Sequence, residues 1–89
     1  MKNKKIIISN KLGLHARAAA KFVRIASGFQ SEIMIHLGSH KVSGKSIMGI
    51  MMLAAGKGTE IGLVTVWPDE DEAMTALENL IINRFGEPE

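Results

Sequence analysis

Between Glu32 and Val42 successive residues alternate in character around a single interruption, Gly38-Ser39. A period of two belongs to a β-strand, whose side chains point to opposite faces in turn. Ile33, Ile35 and Leu37 then share one face, and Glu32, Met34 and His36 the other. Two such runs joined by two residues form an antiparallel hairpin, with Gly38 supplying the positive φ at the first central position of the turn. In that register Leu37 faces His40, His36 faces Lys41 and Ile35 faces Val42. An isolated hairpin is marginal in water, so the rest of the chain must supply more strands and a cover for the apolar face.

The flanking segments supply both. Lys5 to Ser9 is apolar and β-branched, and the polar pair Asn10-Lys11 ends it, which predicts a strand leading into a loop. From Ala16 the period becomes helical, with Ala19, Phe22, Val23 and Ala26 at i, i+3, i+4 and i+7. Gly28 stands where a C-terminal glycine cap belongs, and Phe29 can fold back on Val23. Ser46 to Ala55 predicts a second, shorter helix, capped by Ser46 and stopped at Gly56. Glu60 to Trp67 predicts a last strand. Pro68-Asp69-Glu70-Asp71-Glu72 then forms an acidic helix start in which Asp69 and Glu72 resemble a capping pair. Ala73, Leu77, Leu80 and Ile81 mark that helix's apolar face, and Gly86 and Pro88 its end. The order is β-α-β-β-α-β-α, an α+β domain over residues 1–89 with one antiparallel or mixed four-stranded sheet and its helices on one face.

Composition narrows the class. Eighty-nine residues at 46% hydrophobic content fit one folded domain and exclude a disordered tail. A chain this size buries about 60–65% of its unfolded surface, so its stability is modest. The absence of cysteine removes disulfides, thiolate metal sites and a cysteine nucleophile together. Only three apolar residues follow the basic start Met1–Lys5 before Ser9, too few for a secretory signal or a membrane span. A soluble, cytoplasmic protein is the expectation. Charge is lopsided: residues 1–45 hold nine Lys or Arg against one acid, whereas 46–89 hold two against eight. A basic half suits nucleic acid or an acidic protein partner, unless folding interleaves the two halves.

Chemistry concentrates at residues 13–17, Gly-Leu-His-Ala-Arg, where the first strand gives way to the first helix. Amides at a helix N-terminus lack intrahelical acceptors and favour anions. His15 places an imidazole there, whose neutral ring offers a nitrogen nucleophile. Arg17 adds a planar fork of donors for phosphate oxygens, and the backbone of Ala16, Arg17 and Ala18 supplies the amides. A phosphorylated imidazole is a labile phosphoramidate, suited to passing phosphate onward. A second feature is the helix after Ser46, apolar nearly all round. With Ile50 and Leu53 buried, Ile47, Met48 and Met51 are left as an exposed, adaptable patch.

Other signals fail. Gly44-Lys45-Ser46 resembles the end of a P-loop, but five residues separate Gly38 from Gly44 where four are required, and a hairpin precedes it. Gly56, Gly58 and Gly62 miss dinucleotide spacing and lead into a strand. His36 and His40 fall on opposite hairpin faces, so no metal site is expected, and nothing calls for a cofactor. A nucleic-acid module would use the basic half, yet aromatic content is 4% with no tyrosine, leaving no stacking platform. An interaction domain working through the methionine patch alone would leave His15 and Arg17 without a purpose.

Gly13-Leu14-His15-Ala16-Arg17-Ala18-Ala19, followed about thirty residues on by Gly44-Lys45-Ser46-Ile47-Met48, resembles the histidine-containing phosphocarrier (HPr) family of the bacterial phosphotransferase system. The resemblance spans nearly the whole chain in length, element order and both motifs. It implies an open-faced β-sandwich and a carrier rather than an enzyme, a monomer without cofactor. By the same resemblance His15 accepts phosphate from enzyme I, itself charged by phosphoenolpyruvate, and passes it to an enzyme IIA protein. Ser46 becomes a regulatory site for HPr kinase/phosphorylase, and Ala20, Arg24 and Ala54 join Ile47, Met48 and Met51 in the partner interface. One departure stands out: sugar-transport members usually carry proline after the arginine, where this chain has Ala18. Alanine leaves one more amide for phosphate but less rigidity. It leaves sugar uptake and the nitrogen-related regulatory branch both open.

Overall fold

The structure, a computed structural model, describes residues 1–89. Its elements are β1 (Lys2–Ile7), α1 (Ala16–Ala26), β2 (Glu32–Leu37), β3 (His40–Ser43), α2 (Ile47–Met52), β4 (Glu60–Val66) and α3 (Glu70–Ile82), with a short 3₁₀ turn at Arg84–Gly86. The strands form one sheet in the order β1-β4-β2-β3, antiparallel at every junction. The hairpin has the register its alternation predicts: Ile35 pairs with Val42, His36 with Lys41 and Leu37 with His40. Of its two turn residues only Gly38 has a positive φ, +60°, as a type II′ turn demands.

Period-two patterning gives the sheet two different faces. Ile33, Ile35, Ile61, Leu63 and Thr65 point inward and are buried, together with Ile6 and Ile8. Against them lie Phe22 of α1, Ile50 of α2, and Leu77 and Ile81 of α3, all fully enclosed. The three helices therefore cover one face, and the other, carrying Asn3, Lys5, Met34, His36 and Gly62, stays open.

β1 begins three residues before the apolar run and ends at Ile7 instead of Ser9. It is an edge strand, and its inward-pointing Lys2 and Lys4 need no core. They reach Asp71 at 3.2 Å and Glu78 at 2.8 Å on α3. Lys11 likewise meets Glu89, and the N-terminal ammonium meets Glu70. Every ion pair in the chain joins the basic half to the acidic half, so folding does interleave them.

Three local expectations are corrected. Gly28 does not take a left-handed conformation; Ser27, Gly28 and Phe29 close α1 by donating to Val23, Ile25 and Ala26. Asp69 does not cap its own helix, because its carboxylate accepts from the Gln30 and Ser31 amides at 3.0 and 2.8 Å and from the Ser31 hydroxyl. The Ser31 hydroxyl and these two amides hold the Asp69 carboxyl below its usual range. α2 stops at Met52, before Gly56, because Ala54 takes the left-handed turn at φ +53°. That conformation crowds a Cβ and costs about 1–2 kcal/mol in a residue other than glycine. Ala54→Gly is therefore expected to stabilise the fold by about 1 kcal/mol, after glycine's greater freedom in the unfolded chain is set against the relief. Thermal unfolding checks this, with a rise of about 5 °C in Tm expected.

Candidate functional site

His15 is the residue at which extended chain becomes helix. Its backbone is extended (φ −77°, ψ 179°), and its carbonyl accepts from Ala19 N–H at 2.8 Å, closing the first turn of α1. The approach is fixed by Gly13, whose φ of +67° folds the loop back so that Leu14 N–H donates to the Ala55 carbonyl at 2.9 Å. The imidazole does not cap the helix. It stands free of the backbone, so the amides of Ala16, Arg17 and Ala18 have no intrahelical acceptors at the positive end of an eleven-residue helix, where Ala16 and Arg17 are exposed and Ala18 is buried.

The ring lies in an open cavity of about 680 Å³ lined by Lys11, Leu12, Ala16, Arg17 and the C-terminal residues Glu87, Pro88 and Glu89. Arg17 is exposed and forms no ion pair within the chain. His15, Ala16 and Arg17 thus line one cavity, residue types whose chemistry suits a tetrahedral dianion.

Two residues of the site escaped the sequence reading. Glu87 Oε2 is 2.5 Å from His15 Nε2, across 72 positions of chain. Asn10, fully buried, donates from Nδ2 to the Gly13 carbonyl at 2.8 Å and to Glu87 Oε1 at 3.0 Å. Burial pushes the Glu87 carboxyl up, but the hydrogen bonds from Asn10 and His15 and the charges of His15 and Lys21 outweigh it, and the group ends below its ordinary range. Glu87 is thus a carboxylate at neutral pH. Its only sequence signal is an acid after a glycine that follows an apolar helix, which reads as a solvated tail.

The second candidate surface centres on α2. Ile50 and Leu53 are buried, while Ile47, Met48 and Met51 are exposed at 41%, 73% and 42%. Met52, at 79%, belongs with them. α1 packs beside α2; on α1 Ala20 is half-buried and Arg24 exposed, and Ala54, just past α2, is exposed. Ser46 Oγ accepts from Gly49 N–H at 3.0 Å as the α2 cap and is half-buried at the edge of this patch. His36 and His40 pair with different partners on opposite faces, and no group of metal-ligating side chains forms. No helix is long and apolar enough to cross a membrane.

This arrangement has close parallels among known proteins. The family model described as "PTS HPr component phosphorylation site" matches residues 2–83. The phosphocarrier protein HPr of Neisseria meningitidis serogroup A is 56% identical over 89 residues, covering all of both chains. That of Pseudomonas aeruginosa is 55% identical over 85 residues, 94% of each chain. Among solved structures, HPr from Thermoanaerobacter tengcongensis superposes with a TM-score of 0.96 at 48% identity over the full length of both chains. HPr from Bacillus anthracis gives 0.86 at 42% identity, covering 90% of this chain and 95% of that one. With its sheet order, its histidine at the helix start and its relatives all in agreement, this chain belongs to the HPr family of phosphocarrier proteins of the phosphotransferase system.

Proposed function

We propose that His15 is the residue on which this phosphocarrier takes up its phosphoryl group, receiving it from enzyme I and yielding it to an enzyme IIA protein. The single observation that carries the reading is the ring at the N-cap of α1, uncommitted to capping, beside the unpaired amides of Ala16, Arg17 and Ala18. Phosphate oxygens on that ring fall within reach of the amides, and the Arg17 guanidinium closes over the remaining charge. The amides and guanidinium are in place before the phosphate arrives, so little reorganisation is needed. A carrier must also give the group up. An exposed site of this kind holds the phosphoryl without enclosing it, leaving the partner enzymes to supply the machinery for transfer.

Ile47, Met48 and Met51, with Ala20, Arg24 and Ala54, form the docking surface in this reading. Unbranched methionine adapts to several partner shapes, and Arg24 favours acidic ones. Ser46, at the edge of that surface, is the regulatory position for HPr kinase/phosphorylase. A phosphate there sits favourably at the helix start yet adds negative charge where partners dock. The carrier works as a monomer in the cytoplasm, without cofactor, metal or nucleic acid. Ala18 admits sugar uptake and nitrogen-related regulation alike.

Incubation with enzyme I and phosphoenolpyruvate, followed by mass spectrometry, tests the central claim. One acid-labile phosphoryl group is expected, absent in His15→Ala and kept in Ser46→Ala. Phosphate retained by His15→Ala refutes it. Treatment with HPr kinase and ATP is expected to add an acid-stable phosphate that Ser46→Ala lacks.

A further inference from the structure

Beyond the helix start, the ring is touched by one more charged group, and an unusual piece of backbone brings it there. After α3 the chain passes through Arg84, Phe85 and Gly86 with φ of 55°, 55° and 75°. Two of these are not glycine, so the reversal is strained at consecutive positions. Phe85, only 1% exposed, anchors it, and Lys21 on α1 donates to the Phe85 carbonyl at 2.7 Å. The outcome is specific: Gly86, Pro88 and Glu89 are exposed, while the side chain of Glu87 between them is turned inward and only 10% exposed.

We infer that Glu87, braced by Asn10, is a positioning residue for phosphoryl uptake, holding the His15 proton on Nε2 so that Nδ1 is presented as the nucleophile. The inference rests on His15 being the acceptor and adds what sets its reactive nitrogen. A neutral imidazole carries one N–H and one lone pair, and a carboxylate only accepts. A carboxylate oxygen 2.5 Å from Nε2 therefore selects the tautomer with its proton there. Asn10 fixes the carboxylate in turn through Oε1, and is itself tied to the Gly13 carbonyl in the loop that delivers His15. Such outer partners orient a histidine and choose its tautomer. In transfer, the Nδ1 lone pair forms the N–P bond, and the bond from phosphorus to the donor breaks with its electron pair staying on the donor. The Nε2 proton does not move. The ring becomes a phosphorylated imidazolium, and its new positive charge lies against the Glu87 carboxylate.

The test uses full-length protein with ¹⁵N-labelled histidine. In the parent, long-range proton–nitrogen spectra are expected to show Nε2 protonated and Nδ1 bare. In Glu87→Ala both His15 nitrogens are expected to move toward exchange-averaged positions, and the rate of uptake from phosphorylated enzyme I to fall about tenfold or more. Glu87→Asp keeps the carboxylate and is expected to recover most of both. If Glu87→Ala keeps the parent's nitrogen signature, or takes up phosphate within about twofold of the parent rate or faster, the positioning role is refuted. Phosphate found on His15→Ala refutes the acceptor assignment instead, whatever the nitrogen spectra show, so the two failures are separable.

Discussion

Gly13→Ala is expected to cost about 3–4 kcal/mol of stability, combining left-handed strain with overpacking, and to cripple phosphoryl uptake in the molecules that remain folded. A Cβ on Gly13 would stand 2.4 Å from the Ala55 carbonyl oxygen and 2.7 Å from Gly56 Cα, at a φ of +67°. Both neighbours are backbone, so no rotamer change relieves the clash. The loop must move, and with it go the Leu14 hydrogen bond to Ala55 and the Asn10 hydrogen bond to the Gly13 carbonyl. Since His15 enters α1 through that loop, the ring is displaced from the amides of the helix start. For a domain of this size total stability is about 4–13 kcal/mol, so the loss is a large share. Urea unfolding measures it through the midpoint, and a midpoint unchanged from the parent would mean the loop yields more readily than its contacts imply.

Phe22→Ala is expected to be as damaging, by about 3–5 kcal/mol, without touching the phosphoryl site directly. Phe22 is fully enclosed and is the largest α1 side chain in the single core shared by sheet and helices. Truncation leaves a cavity lined by atoms that cannot all collapse into it, so lost transfer energy and lost contacts add. Because α1 carries His15 at one end and Arg24 at the other, partial loss of packing loosens both functional surfaces. Calorimetry checks the magnitude, and uptake assayed well below the Tm separates instability from lost chemistry.

The parts of the molecule that were legible in its sequence are those specified by neighbours. The 32–42 alternation and its Gly-Ser turn set the hairpin register correctly because period and turn residue are local properties. α1 showed itself through apolar spacing, and Ser46 through its position before an apolar run. The divided loyalties of α2, with Ile50 and Leu53 inward and Ile47, Met48 and Met51 outward, followed from one helix having one sheet to lie on. What stayed hidden depends on distant partners. Nothing near Asp69 indicates that its carboxylate serves the amides of residues 30 and 31 instead of its own helix. Nothing near Ala54 shows that it, and not Gly56, turns the chain. Whether the sheet was wholly antiparallel was also open, since β1 and β4 have no local reason to find each other. Glu87 is the extreme case: its partner lies 72 residues away.

The strand order has a consequence for how the chain comes into being. β4 is the last strand to be synthesised, yet it occupies the middle of the sheet, between β1 and β2. Until residues 60–66 have left the ribosome, the N-terminal strand has no neighbour and the hairpin has an unsatisfied side. Long-range pairing of this kind is slow because loop entropy is lost before any contact repays it. The nascent protein thus waits with open strand edges until β4 emerges, the interval in which chains of this topology are most exposed to aggregation. Arrival of β4 closes both edges in one event, and the backbone of Ala55 and Gly56, against which the Gly13 turn rests, precedes it by only a few residues. Completion of the sheet therefore sets the turn that delivers His15, and the phosphoryl site is finished only when α3 and Glu87 follow it.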